Sequence, residues 1–432
     1  MKILRTDAPE FQDFFQALRR RGGAFAPELV ADVARILADV SARGDEALFS
    51  YTLKFDGLAL TAATVEAGAG ERKEAAARLP AADREVLEIA ARRIDAYHRR
   101  QTSAGYTITD EDGVSIGQRV LPLARAGIYA PGGKAFYPST LLMAAIPARI
   151  AGVGEIVLAS PAKDGRLNPL IAAAADIAGV DRIFKIGGAQ AIAALAYGTK
   201  TVPRVDKIVG PGNAFVAAAK KLVFGQVAID MIAGPSEVVI IADRTARPAF
   251  AAADLLAQAE HDEMAAAVLF TPDAVWARRV AGEVARQIAA LPKKNIIEKS
   301  LSRYGAVIIT ADLDEAVALA NLFAPEHLEL MVENPAALLD RIRNAGSVFL
   351  GSYTPEALGD YTAGANHILP TEGTARFSSP LGVYDFYKRM SVLSFSEAAF
   401  TRLAGPTRHF AQMEGLAAHA HSVAVRAARK KA

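Results

Sequence analysis

Gln258 and His261 are the residues of this chain whose types and spacing most directly suggest chemistry. They stand three positions apart in the segment DLLAQAEHD, whose apolar pattern predicts a helix that ends there. Residues i and i+3 are neighbours on a helix surface, so the amide and the imidazole can contact the same ion or small ligand. The 432 residues include no cysteine and seven histidines. A metal site would therefore have to use imidazole, carboxylate or amide ligands.

Two further groups of polar residues could work with this pair. Glu326 and His327 follow Pro325 in APEHLEL, and a carboxylate beside an imidazole suits a water-activating base next to a proton acceptor. Asp360 lies in LGDYTAGANH, a polar, glycine-rich segment that also contains His367. Because a loop of this kind is often functional, we expect Asp360 to contribute to a site.

The last group is near the C-terminus, where Glu414 and His419 are five positions apart in EGLAAHAH and share a helix face only loosely. Any one histidine alone is best interpreted as a core or surface residue, as we interpret His409 and His421, and His98 is expected at the surface or at a helix end. Histidine, carboxylate and amide groups in combination indicate a zinc site. Because structural zinc sites favour sulfur ligands, a site without thiolate is predicted to be catalytic.

Three predicted strand-to-helix junctions are marked by glycine: Tyr129–Gly133, Gly187–Gln190 and Gly210–Asn213. Each could expose backbone N–H groups at a helix N-terminus, which suits a phosphate or pyrophosphate. None has the spacing G-x-G-x-x-G, and tight turns use glycine without binding anything. Three such junctions in one half of the chain nevertheless favour a nucleotide.

Composition excludes several classes of protein. Lys and Arg number 49 and Asp and Glu 47, which gives a formal charge of +2, whereas a nucleic-acid-binding protein would show a concentrated basic face. The short basic run from Arg426 to Lys431 is interpreted as a solvated helix end. The apolar stretch Leu141–Leu158 is too interrupted to span a bilayer, and the N-terminus has no apolar signal region. We expect a cytoplasmic protein with no nucleic-acid or membrane partner.

The elements that must position these residues follow two patterns. Helical periodicity predicts helices over Phe11–Arg21, Pro27–Arg43 and Ala81–Arg100. From about residue 115, short β-branched runs alternate with alanine-rich helices, which predicts βαβ units and parallel sheets. After about residue 375 this rhythm stops, and an aromatic, strand-like stretch leads into a helical tail from about residue 408. Such an extension is too small to bury a core alone, so it must pack on the rest of the chain or on a second subunit.

The predicted fold class is α/β, with two Rossmann-like parallel-sheet domains, a helical N-terminal segment and an extended C-terminal dimerisation tail. We expect residues 1–25 to form an arm. Residues 26–128 with 237–375 would form the first α/β domain, including the zinc and catalytic residues, and 129–236 would form the second. Residues 376–432 would be the tail that reaches the partner subunit.

Long segments of the chain resemble the histidinol dehydrogenase family, from about Arg43 to the tail. The similar segments are YAPGG at 129, KAFYPST at 134, GGAQAIAALAYGT at 187, VDKIVGPGNAFV at 205, IDMIAGPSEV at 229, DLLAQAEH at 254, APEHL at 324, GSVFLG at 346 and GDYTAGANHILPT at 359. The resemblance implies oxidation of L-histidinol to L-histidine by two NAD+, through a bound aldehyde, in a zinc-dependent homodimer.

The resemblance also assigns roles to positions of this chain. The implied zinc ligands, which would also contact substrate, are Gln258, His261, Asp360 and His419. The implied acid–base residues are Glu326 and His327, and His327 would contact substrate too. The implied NAD contacts are Tyr129, Gln190 and Asn213, and the implied further substrate contacts are Ser236 and Glu414. Glu414 and His419 would reach the active site of the other subunit.

The absence of cysteine bears on the second oxidation. A thiohemiacetal route needs a cysteine nucleophile, so the aldehyde is expected to react as its hydrate, with Glu326 activating the water. Three alternatives remain: a family relative that oxidises another hydroxylated or amino alcohol, a zinc hydrolase that uses Glu326 on metal-bound water, and a silent α/β binding protein. The intact pair Glu326 and His327 argues against the last.

Overall fold

A computed structural model describes residues 1–21, 25–132 and 136–427. Gly133 of the first glycine junction, Lys134 and Ala135 of KAFYPST, and residues 428–432 of the basic C-terminal run lie outside the described residues. The described chain divides into two compact units, one comprising Met1–Gln101 with Leu123–Phe386 and the other Thr102–Pro122 with Tyr387–Ala432.

The strands are β1 (Lys2–Arg5), β2 (Tyr106–Thr109), β3 (Val114–Pro122), β4 (Arg125–Tyr129), β5 (Glu155–Ala159), β6 (Arg182–Phe184), β7 (Lys207–Val209), β8 (Ala228–Ile229), β9 (Glu237–Ala242), β10 (Ala266–Thr271), β11 (Gly305–Ile309), β12 (His327–Met331), β13 (Ser347–Leu350) and β14 (Tyr387–Phe395).

The α-helices are α1 (Pro9–Arg19), α2 (Pro27–Arg43), α3 (Asp45–Asp56), α4 (Ala69–Ala77), α5 (Ala81–His98), α6 (Pro138–Ala151), α7 (Pro169–Ala178), α8 (Gly188–Tyr197), α9 (Ala214–Val223), α10 (Pro248–Ala259), α11 (Ala274–Gln287), α12 (Lys294–Tyr304), α13 (Leu313–Phe323), α14 (Pro335–Leu339), α15 (Glu356–Tyr361), α16 (Glu397–Met413) and α17 (Ala417–Ala427).

The first unit contains two parallel sheets, as the alternation of strands and helices predicts. One has the strand order β6-β5-β4-β7-β8, and the other β1-β11-β10-β9-β12-β13. The paired strands of both sheets run parallel. We call them the five-stranded and the six-stranded sheet. The α/β class with parallel sheets is confirmed.

The six-stranded sheet is covered on both faces. Val238 and Ile240 of β9 join a core with α10, α11 and α12, whereas Val239 and Ile241 join the opposite core with α1 and α13. Successive side chains of a strand point to opposite faces, so a strand that is buried on both faces reads as a continuous apolar run. This is why VVIIA was recognisable from sequence.

The N-terminal helices pack on the five-stranded sheet. Val33 and Val40 of α2 share a core with Ile192 of α8 and Val216 of α9, and α5 packs beside α6. The sequence analysis instead predicted that residues 26–128 share a domain with residues 237–375, which include most of the six-stranded sheet. Helical periodicity shows which face of a helix is buried, but not which sheet covers that face. The remaining domain boundaries stay a prediction.

The second unit is a three-stranded antiparallel sheet with two helices. Its order is β14-β3-β2, and α16 packs on α17. Its buried apolar residues are few and small, with Ala399, Ala404 and Ala420 among them, whereas Phe410 and Met413 are 62% and 70% exposed. The helix α16 begins earlier than the predicted tail at about 408. A role of this unit in dimerisation stays a prediction.

The helices predicted over Phe11–Arg21, Pro27–Arg43 and Ala81–Arg100 correspond to α1, α2 and α5, whose bounds differ from the prediction by at most two residues. Elements that the sequence analysis did not predict include β1, α3, α4, α12 and α15. Among residues 1–21, 25–132 and 136–427, no helix has the length and hydropathy needed to cross a membrane.

Candidate active site

The predicted site residues of the first unit lie at opposite edges of its two parallel sheets. Strands β9 and β12 begin at Glu237 and His327, so Ser236–Glu237 and Glu326–His327 lie together at the amino edge of the six-stranded sheet. The glycine junctions follow β4, β6 and β7 and lie at the carboxyl edge of the five-stranded sheet, where open α/β sheets bind ligands.

A cleft brings these two edges together. Gly210 and Pro211 line it from the five-stranded sheet, and Ser236 and Glu326 line it from the six-stranded sheet. His367, in the loop that follows α15, lines it as well. The glycine junction at residue 210 and the predicted base therefore share one cleft.

The loop at Gly210 is fixed from beneath by a buried ion pair between Lys220 and Asp230, whose side chains are 2% and 1% exposed. Lys220 Nζ donates to the Gly210 carbonyl at 2.8 Å. Asp230 Oδ2 accepts from the Gly210 N–H at 2.8 Å, and Oδ1 accepts from the Met231 N–H at 2.7 Å. The pair thus holds both polar groups of the Gly210 backbone.

The predicted metal ligands of the first unit meet at the end of α10. Gln258 is buried there, His261 follows one turn later, and Asp360 lies on α15. Glu356, four residues before Asp360, shares its helix face. One ligand atom from each of His261, Glu356 and Asp360 lies within 4.8 Å of the other two. The sequence analysis predicted His261 and Asp360 but missed Glu356.

The Gln258 amide can serve this cluster through its oxygen. Its hydrogen bonds are satisfied when Nε2 is the atom that faces Glu356, where it donates to both carboxylate oxygens at 3.1 Å. When the amide nitrogen is hydrogen-bonded in this way, the amide oxygen is available as a metal ligand. Imidazole, carboxylate and amide oxygen form a donor set that fits zinc.

His327 is buried, and its tautomer follows from its partners. Its Nδ1 lies 3.1 Å from the Glu237 carbonyl, and since a carbonyl only accepts, Nδ1 carries the proton. In the neutral ring the lone pair is therefore on Nε2. Among the described residues, Nε2 has no hydrogen-bond partner, and it lies 3.7 Å from Asp360 Oδ1. A buried, unpartnered nitrogen beside the ligand cluster is placed for a substrate group.

The electrostatics of the cluster favour a cation. Burial raises the pKa of Glu356 to about 8 although His327 opposes this shift. Burial also raises the pKa of the adjoining Glu329 well above its ordinary value, and Glu329 Oε1 accepts the Glu356 N–H at 2.9 Å. For His327, burial alone would lower the pKa, but Glu356, Glu326 and Asp360 hold it well above the ordinary value. Carboxylates gathered in this way are the surroundings that a divalent cation stabilises.

Glu326 is held at the edge of the same cleft. Its Oε2 accepts from the Glu237 N–H at 3.0 Å, and its own N–H donates to Glu237 Oε2 at 3.2 Å. The Ser236 hydroxyl also bonds to its carboxylate, but burial outweighs these bonds and raises the pKa of Glu326. A carboxyl group with a raised pKa is a stronger base once ionised.

The three predicted NAD contacts occupy the three glycine junctions. The Tyr129 hydroxyl accepts from the Gly188 N–H at 3.1 Å, and burial raises the pKa of Tyr129 to about 12. Gln190 is buried, and its Nε2 has no partner among the described residues. Asn213 caps α9, with Oδ1 accepting from two backbone N–H groups at 3.1 Å. The unpartnered Gln190 amide is the feature here that fits a polar ligand.

Glu414 and His419 belong to the second unit. Glu414 directly follows the last residue of α16, His419 lies in α17, and both are exposed. They therefore do not share a helix, because Gly415, at φ +72°, interrupts the helical path between them.

Comparison with known proteins agrees with the resemblance found in the sequence. The family model described as histidinol dehydrogenase matches residues 19–427. The chain belongs to the histidinol dehydrogenase family. The histidinol dehydrogenase of Syntrophotalea carbinolica is 54% identical over 426 residues, covering 99% of each chain. That of Geobacter metallireducens is 53% identical over 427 residues, covering 99% of this chain and 98% of the relative. The crystal structure of the Elizabethkingia anophelis histidinol dehydrogenase is 37% identical, with a TM-score of 0.92 and coverage of 99% and 98%.

Some residues shape this site although no sequence pattern distinguished them. Arg21 and Glu237 lie behind Glu326, and Glu356 lies beside the ligands. His98, which we expected at the surface or a helix end, is fully buried. Its Nε2 lies 3.2 Å from the Asn366 amide in the loop after Asp360. A lone histidine near a helix end gives no indication that a distant loop covers it.

Proposed function

We propose that this protein oxidises L-histidinol to L-histidine through bound L-histidinaldehyde, with two NAD+ consumed and zinc required. One observation carries the proposal: the unpartnered Nε2 of His327 lies 3.7 Å from Asp360 Oδ1 in the ligand cluster, and the adjacent Glu326 lines the cleft together with the Gly210 junction. Family membership supports the same reaction.

We propose that zinc is held by Gln258, His261 and Asp360, with His419 of the second unit contributed by the partner subunit of a homodimer. When bound, zinc orients the nitrogen atoms of the substrate, and NAD+ accepts a hydride in each oxidation. The grouping of His261, Glu356 and Asp360 supports this assignment, because one ligand atom from each lies within 4.8 Å of the other two.

In the first oxidation, His327 takes the proton of the alcohol in its neutral form, which a cation bound beside Glu356 and Asp360 would favour. Its Nδ1–H is held by the Glu237 carbonyl, so Nε2 is the nitrogen that can accept. The carbon loses a hydride, and the product is the aldehyde. Ser236 and Glu414 are proposed to contact the substrate, the latter across the dimer.

In the second oxidation, Glu326 takes a proton from water as the water adds to the aldehyde. The hydrated carbon then loses a hydride and becomes the carboxylate of histidine. The chain has no cysteine, so a covalent thiohemiacetal cannot form. Glu326 lies on the cleft with one carboxylate oxygen fixed by a backbone N–H, which leaves the other oxygen for water.

We propose that Tyr129, Gln190 and Asn213 contact NAD+ and that the two parallel-sheet domains are Rossmann-like. The support is that all three lie at the carboxyl edge of the five-stranded sheet, with the Gln190 amide unpartnered among the described residues. The exposed apolar residues of the second unit support its role as the dimerisation tail. The cytoplasmic location remains a prediction from sequence.

Coupled turnover tests the proposed function. The purified protein is mixed with histidinol and NAD+, and NADH is followed by absorbance, with chelator and with zinc added back. Two NADH per histidinol, abolished by chelator and restored by zinc, would support the proposal. Turnover of another amino alcohol in its place would favour the family-relative alternative, and ester or amide cleavage without NADH would favour a zinc hydrolase.

Glu326→Gln separates the two oxidations. The Gln oxygen can still accept the Glu237 N–H, so the loop keeps its position, but the base is lost. We expect aldehyde oxidation to fall by about 10²–10⁴-fold, with histidinol oxidation to the aldehyde largely retained. The two steps are measured separately with histidinol and with histidinaldehyde as substrates. Equal loss in both would contradict the role of Glu326.

A further inference from the structure

Glu237 connects the two proposed acid–base residues. Through its backbone it donates to Glu326 Oε2 at 3.0 Å and accepts from His327 Nδ1 at 3.1 Å. Through its side chain it accepts the Glu326 N–H at 3.2 Å. Glu237 and Glu326 therefore hold each other reciprocally, each carboxylate on the other's backbone N–H, where the neighbouring strands β9 and β12 begin.

The side chain of Glu237 is in turn held from the N-terminal arm. Arg21 Nη2 donates to Glu237 Oε1 at 3.1 Å and to the Pro235 carbonyl at 3.0 Å. The Arg21 side chain is fully buried and that of Glu237 is 3% exposed. One carboxylate oxygen thus faces Arg21 and the other faces Glu326, so the orientation of the carboxylate depends on both contacts.

The surroundings of Arg21 suit a cation. Its guanidinium lies 5.5 Å from the centre of the Tyr304 ring, a distance at which the ring face attracts a cation. Its Nε and Nη1 are buried without a hydrogen-bond partner among the described residues. A buried arginine that leaves donors unsatisfied costs stability, which argues for a role beyond packing.

We propose that Arg21 and Glu237 are positioning residues that fix Glu326 for aldehyde oxidation, so that the N-terminal arm is part of the active-site machinery. The proposal rests on the proposed function. The two side chains act on Glu326 through its backbone N–H, which donates to Glu237 Oε2. Their effect is exerted on its backbone and on the turn that precedes β12.

Arg21→Met tests the proposal, with Arg20→Met as the matched control because Arg20 is the preceding, exposed residue. Loss of Arg21 releases the Glu237 oxygen Oε1 that it holds, so the carboxylate is free to rotate and its contact with the Glu326 N–H is expected to loosen. We expect kcat for histidinaldehyde oxidation to fall by about 10–100-fold, as displacement of a catalytic group by about 1 Å does. Histidinol oxidation and the KM for NAD+ should change by less than about threefold.

Hydrogen–deuterium exchange gives a readout independent of activity. Peptides covering the turn at Pro325–His327 should exchange faster in Arg21→Met than in the parent or in Arg20→Met. The double variant Arg21→Met with Glu237→Gln removes both charges, and its amide oxygen can still accept the Glu326 N–H. It should recover part of the lost kcat and of the protection.

The outcomes separate this inference from the proposed function. A parent that never turns over histidinol contradicts the function, while the exchange result still tests the positioning. Unchanged exchange at Pro325–His327 in Arg21→Met would overturn the positioning role, whatever the activity. Equal losses in both oxidation steps, with no recovery in the double variant, would also overturn it and indicate a merely structural contact.

Discussion

Removal of either partner of the Lys220–Asp230 pair should destabilise the fold strongly, and the cost should depend on which partner is removed. Both side chains are almost completely buried. Removing one partner of a buried ion pair costs about 3–5 kcal/mol, since it leaves an uncompensated charge. The structure indicates where in that range each variant falls.

Lys220→Met leaves the Asp230 carboxylate with two backbone N–H donors, at 2.8 and 2.7 Å. Those bonds partly compensate the remaining charge, so we expect a loss near about 3 kcal/mol. Asp230→Asn leaves the Lys220 ammonium with the Gly210 carbonyl as the partner that the structure gives it, so the loss should lie near about 5 kcal/mol. The double variant buries no charge and should cost less than the two losses added together.

The assay is urea unfolding of the four proteins, followed by far-ultraviolet circular dichroism, together with the KM for NAD+. Because the pair holds the Gly210 loop, each single variant should also raise that KM. A Lys220→Met protein within about 1 kcal/mol of the parent would refute the reasoning. Strictly additive losses in the double variant would refute it too, since they would show that the two groups do not interact.

Two other predictions concern the glycine junctions. The pKa of Tyr129 is raised from 10.0 to about 12, so stability present below about pH 10 should be lost as pH rises towards about 12. Between about pH 10 and 12, the unfolding free energy of Tyr129→Phe should fall by about 2–3 kcal/mol less than that of the parent. Urea unfolding at a series of alkaline pH values measures this, and an equal pH dependence in variant and parent would contradict it. A Cβ at Gly210, which has φ +112°, would lie 2.2 Å from the Tyr129 carbonyl oxygen, so Gly210→Ala should raise the KM for NAD+ by about tenfold, a displacement effect. Gly282→Ala is the control, because Gly282 lies in the middle of α11 with open space around it. This variant should stabilise the protein by about 0.5–1 kcal/mol without changing the KM for NAD+. A higher KM in Gly282→Ala than in Gly210→Ala would contradict a role of the Gly210 loop in binding NAD+.

The parts of the fold that could be predicted were those with a repeating apolar pattern. VVIIA and AAVLFT are recognisable because a strand buried on both faces is apolar throughout. By contrast, β1 has exposed residues along most of its length, and α15 has six residues around a polar cluster. Neither has a period long enough to detect, although α15 carries Asp360.

The site was predictable where chemistry and spacing were both unusual. Gln258 and His261 stand at a helix end, and the structure brings Asp360 and Glu356 to them. Glu356 could have been proposed from its spacing of four to Asp360, but acidic residues four apart are common on surface helices. Arg21 could not have been found, because its partner is 216 positions away and only the fold brings them together.

The opposite edges of the two sheets give the cleft an electrical polarity. Since helices run against the strands of their βαβ units, α8 and α9 begin on the five-stranded side, at Gly188 and Ala214, while α10 and α13 end on the six-stranded side, at Ala259 and Phe323. Each helix end carries roughly half an elementary charge, positive where the helix begins and negative where it ends. One wall of the cleft therefore attracts anions and the other cations. A dinucleotide and a cationic amine would be sorted to their own sides by the direction of the backbone, and no single side-chain substitution would abolish that preference.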